Sequence, residues 1–177
     1  TALNSRSGSV WAGWCGACNP GSTFDRGLLT NASGGYTQLS MPAGVPLRMI
    51  TAVTPDPSDP RTAYVVFGGF SRNWVDGPGS DLSGAGHVWR VTVAADGTAS
   101  WTDVSGNLPD IPGDDLLITS TGRVVLATDL GVVETTYADL QSGAPSWARA
   151  ALPPTIVTQV IEGPDGLIYA ATYGRGI

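Results

Sequence analysis

The sequence contains no lysine: its nine basic residues are all arginines, against 15 acidic residues, and the formal net charge is −6. Proteins that bind nucleic acids place clusters of Lys and Arg against the phosphate backbone, and no such cluster is present here. No apolar run approaches the roughly 18 residues that a membrane-spanning helix needs. The composition therefore argues against nucleic-acid and membrane partners.

Histidine is almost absent as well, since His87 is the only one in the chain. This excludes a metal site built from several histidines. A Ser-His-Asp triad would have to use His87, and no G-x-S-x-G segment supplies its nucleophile. We therefore expect no metal and no cofactor. The oxygen-rich segments 55–60 and 76–81 leave a structural calcium ion as a side hypothesis, although neither matches an EF-hand loop.

Helical periodicity is also missing, because no stretch sustains apolar residues at a spacing of three and four. Charged residues make up only 14% of the chain, whereas hydrophobic residues make up 42%, with 24 glycines and 13 prolines. Glycine and proline spread along the whole chain are typical of many short strands joined by turns. The 177 residues suffice for one all-β domain.

What is present is an internal repeat anchored by aromatic residues. Three short segments begin with an aromatic residue and run into a proline-containing loop: Tyr36, Trp101 and Trp147. A turn-forming residue stands five positions before each of them, and its side chain can accept a bond from the backbone two residues on: Asn31, Asp96 and Ser142. Trp11, Trp89, Trp101 and Trp147 are interpreted as packing residues.

Apolar runs rich in Val, Ile, Thr and Tyr recur between these anchors and predict four strands per repeat of roughly 45–60 residues. That unit is typical of a β-propeller blade, the alternative being a β-sandwich. An ill-defined first strand falls in "TALNS" (1–5). The chain is predicted to be a single partial propeller of about three and a half blades. The repeats are approximately 1–46, 47–112, 113–155 and an incomplete 156–177.

Segments 94–101, 105–112, 127–135 and 170–177 resemble the bacterial BNR/Asp-box propellers, a group that includes sialidases, xyloglucan-degrading hydrolases and sortilin-type receptors. The turn of that family is S-x-D-x-G-x-T-W, and "AADGTASW" (94–101) keeps its Asp and Trp. The resemblance implies a closed ring, commonly of seven blades. We therefore expect this chain to be a fragment of the ring, with the remaining blades on another chain, on another copy or in the rest of a longer gene product.

Two long connections are predicted at one end of the propeller, 15–27 and 70–86, where long loops on a rigid scaffold often carry function. Their aromatic, acidic and arginine side chains suit a sugar, whose apolar faces stack on rings and whose hydroxyls bond carboxylates. The predicted ligand-binding residues are Trp14, Arg26, Arg48, Arg72 and Trp74. Cleavage of a glycosidic bond uses one carboxyl group as acid and another as base. The candidates for such a pair are Asp25, Asp76 and Asp81.

The resulting hypothesis is a secreted, extracellular or periplasmic, carbohydrate-engaging propeller that forms part of a glycoside-hydrolase-like or sialidase-like protein. The alternative is a non-catalytic protein-interaction propeller of the sortilin or assembly-factor kind. Whether the chain is enzymatic stays open, since most of these residues have plausible structural roles as turn formers, caps or local ion pairs.

The segment "WCGAC" (14–18) resembles a thioredoxin motif, but the following Asn, Pro and Gly leave no room for the helix that such a motif needs. We predict instead a short-range disulfide between Cys15 and Cys18 that stiffens the base of a loop. A thiol-blocking reagent should therefore leave the folded, unreduced protein unmodified and label both cysteines after reduction. Labelling of both thiols without reduction would contradict the disulfide.

Overall fold

The computed structural model describes residues 2–17, 25–70 and 86–174. Over these residues the chain is all-β with one short helix, which confirms the predicted class. The strands are β1 (Ala2–Arg6), β2 (Ser9–Ala17), β3 (Asp25–Thr30), β4 (Thr37–Leu39), β5 (Ile50–Pro55), β6 (Thr62–Phe67), β7 (Val88–Val93), β8 (Ala99–Asp103), β9 (Gly113–Ile118), β10 (Arg123–Thr128), β11 (Gly131–Thr136), β12 (Ala148–Arg149), β13 (Val157–Glu162) and β14 (Ile168–Thr172).

The strands form antiparallel sheets in which each strand pairs with its neighbour along the chain. The first three sheets have four strands each, β1–β4, β5–β8 and β9–β12, and the fourth pairs β13 with β14. The strand predicted in "TALNS" (1–5) is confirmed as β1, and strands follow along the rest of the described chain, as the recurring apolar runs predict. The first strands of successive sheets lie side by side, with β5 between β1 and β9 and β9 between β5 and β13.

Packing of each sheet against the next forms the core. Trp11 and Leu28 of the first sheet pack with Val65 of the second in one buried cluster. Tyr64 of the second sheet and Leu126 of the third belong to another cluster. A third cluster joins the third sheet to the fourth. Because β6 is covered on both sides, all six of its residues are buried, and its sequence "TAYVVF" is apolar without alternation.

The helix α1 (Tyr137–Ser142) lies between β11 and β12 and was not predicted. Thr136 caps it by accepting a hydrogen bond from the Asp139 backbone N–H at 3.1 Å, and Gly143 ends it in the left-handed conformation at φ 87°. In the sequence, only the cap Thr136 and the terminator Gly143 mark this helix, because six residues are too few to show a periodic apolar pattern. The expectation of strands and turns alone was wrong at this point.

Two of the three predicted turn residues behave as expected. Asp96 accepts a hydrogen bond from Thr98 N at 2.9 Å, and the Ser142 hydroxyl accepts one from Ala144 N at 3.3 Å. Asn31 differs, because its side-chain oxygen accepts a hydrogen bond from Val10 N at 2.7 Å and so joins the turn to β2.

The predicted packing tryptophans Trp11, Trp89 and Trp147 are buried, and the half-buried Trp101 packs against the first cluster.

Close packing between the first two sheets depends on Gly13 in β2. A Cβ atom at this position would lie 2.4 Å from Ile50 Cγ2 and 3.3 Å from Val53 Cγ2. We expect Gly13→Ala to lower the free energy of unfolding by about 1–3 kcal/mol through overpacking, measured by urea denaturation. Gly35→Ala is the control, since a Cβ there meets no atom of the described residues within 4 Å. Equal stability of the two variants would contradict this account.

Candidate functional site

The predicted site residues that the structure describes gather at one end of the sheets. At this end β2, β6 and β10 finish and β5, β9 and β13 begin. Adjacent sheets are joined here, since the Thr51 hydroxyl of β5 donates to the Gly113 carbonyl of β9 at 2.8 Å. The chain segments 18–24 and 71–85 also connect strands that end and begin here. We call this end of the sheets the connection end.

Trp14 and Asp25 lie together at the connection end of the first sheet. Trp14 is half-buried, and its indole occupies the space beside Gly27, where a Cβ atom would come within 2.5 Å of the ring. A Cβ at Gly16 would lie 3.2 Å from Asp25 Oδ2 and 3.4 Å from the Trp14 ring. The two glycines thus leave room for an indole with a carboxylate beside it, and Asp25 is exposed.

Arg26 is directed away from this pair, because successive residues of a strand face opposite sides of its sheet. Its guanidinium donates to the backbone carbonyl of Pro46, from Nε at 2.8 Å and also from Nη2, and from Nη2 to that of Val45 at 3.3 Å. Arg26 therefore ties the start of β3 to the linker before the second sheet. The structure brings Trp14 and Asp25 together and separates Arg26 from them.

Arg48 is buried, with 2% of its surface exposed, and donates to backbone carbonyls of its own protein. Nη1 reaches the Gly69 carbonyl at 3.3 Å and Nη2 reaches the Gly86 carbonyl at 2.9 Å. These carbonyls lie close to the two ends of segment 71–85. The guanidinium therefore holds the ends of that connection together, which is a structural role that the prediction of an anion-binding Arg48 did not include.

His87 lies beside Arg48 and is also 2% exposed. Its Nδ1 is 3.1 Å from the Phe67 carbonyl, its Nε2 is 3.0 Å from Asp110 Oδ1, and Arg48 Nη1 is within 3.3 Å of both ring nitrogens. Burial and the Arg48 guanidinium hold the pKa of His87 below its usual value. The ring thus bridges the end of β6 and the linker that carries Asp110.

Several predicted residues lie outside the described residues: Cys18, Arg72, Trp74, Asp76 and Asp81. Cys15 is described and is not a free thiol, while its pairing with Cys18 stays a prediction. The ligand-binding and catalytic roles of all predicted site residues likewise stay predictions.

A bulge occurs near the start of three inner strands, β5, β9 and β13, and each places one extra residue there. The extra residues are Thr51, Asp114 and Thr158. Both threonine hydroxyls lie beside carbonyls of the neighbouring strand: Thr158 donates to Ala171 at 3.4 Å, and Thr51, whose shorter bond goes to Gly113, is 3.2 Å from the Val66 carbonyl. An ionised Asp114 cannot donate such a bond, because a carboxylate is only an acceptor.

Asp114 is therefore an acid at a position where the other two sheets carry a hydroxyl. Its Oδ2 atom is buried and has no hydrogen-bond partner among the residues that the structure describes. Burial, together with the negative charges of Asp129 and Asp115, raises the pKa of Asp114 to about 6. Sequence reasoning missed this residue; the signal that could have found it is the doublet Asp114-Asp115 at the start of a strand that is otherwise apolar.

The inner strands β1, β5, β9 and β13 line a shared groove with a volume of about 610 Å³. Its wall is largely polar and includes the three bulge residues. Asp115 also contributes to it, and burial raises its pKa, although it accepts hydrogen bonds from Val160 N at 3.0 Å and Leu116 N at 2.9 Å. The groove thus opens beside the acidic cluster formed by Asp114, Asp115 and Asp129.

The oxygen-rich segment 55–60 is occupied by protein donors. The Asp56 carboxylate accepts hydrogen bonds from Tyr137 Oη at 2.6 Å, Tyr64 Oη at 3.0 Å and Ser58 N at 2.8 Å. Within residues 2–17, 25–70 and 86–174, no group of three or more His, Cys, Asp or Glu side chains could hold a metal ion. Segment 76–81, the other calcium candidate, lies outside these ranges.

No protein-family model and no curated protein sequence match the chain. Over the described residues, no helix is long and apolar enough to span a membrane. Solved structures nevertheless share its fold.

The extracellular domain of the one-component system BT4673 from B. thetaiotaomicron superposes with a TM-score of 0.60 at 14% identity, covering 97% of this chain and 19% of that one. PorZ, a surface component of the type-IX secretion system of Porphyromonas gingivalis, gives 0.55 at 15%, with 99% and 25% covered. A luciferin-regenerating enzyme gives 0.54 at 15%, with 96% and 52% covered. At these identities the likeness shows the fold alone, and the chain spans between 19% and 52% of these proteins.

The raised pKa of Asp114 predicts a pH-dependent stability. The folded chain keeps this proton to higher pH than the unfolded chain, so stability is lost as the pH rises from about 4 through about 6. Asp114→Asn should therefore stabilise the protein at pH 8 by on the order of 1 kcal/mol, and the gain should vanish near pH 4, as measured by urea denaturation. Asp129→Asn should give a smaller gain in the same direction. A destabilised Asp114→Asn variant at pH 8 would contradict the assignment.

Proposed function

We propose that this chain is a segment of an extracellular β-propeller of the BNR/Asp-box kind that engages carbohydrate at the connection end. The single observation that carries the carbohydrate proposal is the juxtaposition of Trp14 and Asp25. An indole offers a surface for the apolar face of a pyranose, and an adjacent carboxylate accepts hydrogen bonds from its hydroxyls.

The propeller part of the proposal is supported by the repeated sheet. Three four-stranded antiparallel sheets and a two-stranded one follow one another, each with strands in chain order. Their first strands lie side by side around one groove, as the innermost strands of blades do. The extracellular location is supported by two structural relatives, which are an extracellular domain and a bacterial surface component.

A hydrolytic version of this proposal needs two carboxylates that differ in protonation. Asp25 and the predicted Asp76 and Asp81 are the carboxylates of the long connections. Asp114 is an additional candidate acid, because its pKa of about 6 keeps part of the population protonated near neutral pH. Sugar binding without hydrolysis requires only the Trp14 indole and the Asp25 carboxylate.

A non-catalytic protein-interaction propeller is the second candidate function. It is favoured by large apolar side chains that are exposed at both ends of the row of sheets, among them Leu3 with 73% and Ile161 with 52% of their surface exposed. Exposed apolar surface of this kind is typical of protein-binding faces.

The decisive measurement is glycan binding by the whole chain, first on a glycan and polysaccharide array and then by calorimetry with the best binder. Trp14→Ala should weaken binding about tenfold or more, and Asp25→Asn should weaken it to a similar or smaller degree. Trp14→Phe should retain much of the affinity, because a ring is preserved. Trp74→Ala tests the second predicted ring in the same assay.

Tyr36→Ala is the matched control, because Tyr36 is an aromatic residue with 66% of its surface exposed at the opposite end of the first sheet. It should leave glycan affinity unchanged, and thermal melts should show all variants folded. If no glycan binds, or if Tyr36→Ala and Trp14→Ala weaken binding equally, the carbohydrate proposal fails and the interaction propeller replaces it.

A further inference from the structure

A polar cavity with a volume of about 270 Å³ lies between the second and third sheets, at the end opposite the connection end. One wall is a face of the second sheet, on which two cross-strand rows run over β6, β7 and β8. Every side chain of these rows carries a hydroxyl or a guanidinium: Thr62, Thr92 and Ser100 in one row, Tyr64, Arg90 and Thr102 in the other. The β5–β6 loop adds Asp59 to the lining, and α1 adds Gln141.

This polar corner interrupts a joint that is otherwise apolar. Nearer to the connection end, the same face of the second sheet carries Val66 and Val88, which pack in the buried cluster with the third sheet. Farther from that end the side chains become polar, although Arg90 and Thr92 are still half-buried. Polar groups that are removed from water cost free energy unless they find hydrogen-bond partners. The cavity therefore offers a set of polar groups that a polar ligand would satisfy.

Arg90 brings a positive charge into this cavity. Its Nη1 donates to the Gln141 carbonyl at 2.7 Å, which leaves further N–H donors of the guanidinium available. Among the described residues, no carboxylate forms an ion pair with Arg90. Arg123 of the third sheet differs in this respect, because its Nε donates to Glu134 at 2.9 Å. Arg90 is thus a half-buried cation that can still bind a carboxylate.

Asp59 brings a negative charge into the same cavity. Its Oδ1 accepts a hydrogen bond from Arg61 N at 3.0 Å, and its Oδ2 accepts one from the Thr62 hydroxyl at 2.8 Å. A carboxylate has about four acceptor positions, so Asp59 can accept further bonds. The other acid of the lining, Asp56, instead binds the protein donors described above.

The two charges are separated by a short gap. The Thr62 hydroxyl that binds Asp59 is 2.9 Å from the Thr92 hydroxyl, and Arg90 lies two residues from Thr92 on the same face, roughly 7 Å along β7. An α-amino acid carries an ammonium and a carboxylate on one carbon. With a charge-assisted hydrogen bond of about 2.8 Å at either end, it spans a gap of this size.

We propose that this cavity binds a small zwitterion of the α-amino acid class. Arg90 binds its carboxylate, because a guanidinium matches the two carboxylate oxygens, and Asp59 binds its ammonium. The hydroxyls of Ser100 and Thr102 lie along the remaining wall and suit a small polar side chain. The volume is at the lower end of that of ligand pockets, which favours a free amino acid over a peptide. The inference uses no residue of the connection end and does not rest on carbohydrate binding.

Isothermal titration calorimetry with glycine, L-serine and L-glutamine on the wild-type chain tests the site. At least one of them should bind saturably at millimolar concentrations or below. The amide of the best binder lacks the carboxylate, and its N-acetyl derivative lacks the ammonium. Each should bind about tenfold or more weakly than the parent amino acid, since each loses one charge-assisted contact.

Two variants assign the two charges of the ligand to the protein. Arg90→Gln and Asp59→Asn should each weaken binding of the parent amino acid about tenfold or more. Arg90→Gln should also lose the preference for the acid over its amide, and Asp59→Asn the preference for the free amine over its N-acetyl derivative. Arg123→Gln is the matched control, because Arg123 lies on the side of the third sheet that faces the fourth. It should bind the amino acid as the wild type does.

Failure of all three amino acids to bind would overturn the proposal, as would equal binding of the parent and both derivatives or unchanged affinity in Arg90→Gln. Binding of sulfate or sorbitol in place of the amino acids would also overturn it, and would assign the cavity to an anion or a neutral polyol. The comparison of derivatives uses the wild-type chain, so it decides the question even where a variant does not fold. Trp14→Ala should bind the amino acid normally, which lets the carbohydrate proposal fail independently.

Discussion

Burial of one sheet against the next is the interaction on which the rest of this structure depends. A four-stranded sheet of 2- to 9-residue strands has little core of its own, and apolar residues on both of its faces require a neighbour on either side. This explains why β6, in the middle sheet of the three four-stranded ones, is buried at every position. It also explains why glycine is needed at Gly13, where the first and second sheets approach closely.

The strands could be predicted because their signals are local. Runs of Val, Thr and Tyr between Gly and Pro mark many of the strands, and Asp96 accepts a hydrogen bond from the backbone N–H two positions on. The helix α1 escaped prediction because it depends on one cap and one terminator. The division of the chain into repeats stays a prediction, as does the closed ring that the family resemblance implies.

The candidate site was less predictable, because its contacts join residues far apart in sequence. Nothing local distinguishes Arg48 as a residue whose hydrogen-bond acceptors lie 21 and 38 positions away. The doublet Asp114-Asp115 marks the position in the sequence, but the bulge and the burial that give Asp114 its properties depend on neighbouring strands and sheets. Trp14 and Asp25, in contrast, lie at the two ends of the same connection, and that proximity along the chain is why sequence reasoning could place them together.

The Arg48 guanidinium bridges the Gly69 and Gly86 carbonyls, which lie just after β6 and just before β7. Arg48 belongs to the linker before β5, and its two acceptors, Gly69 and Gly86, adjoin the ends of β6 and β7, so the bridge is built from residues outside segment 71–85. Grafting a different segment between Gly69 and Gly86 therefore leaves all three residues of this bridge in place. The fold provides an exchangeable insertion point whose anchor, Arg48, lies outside the exchanged part.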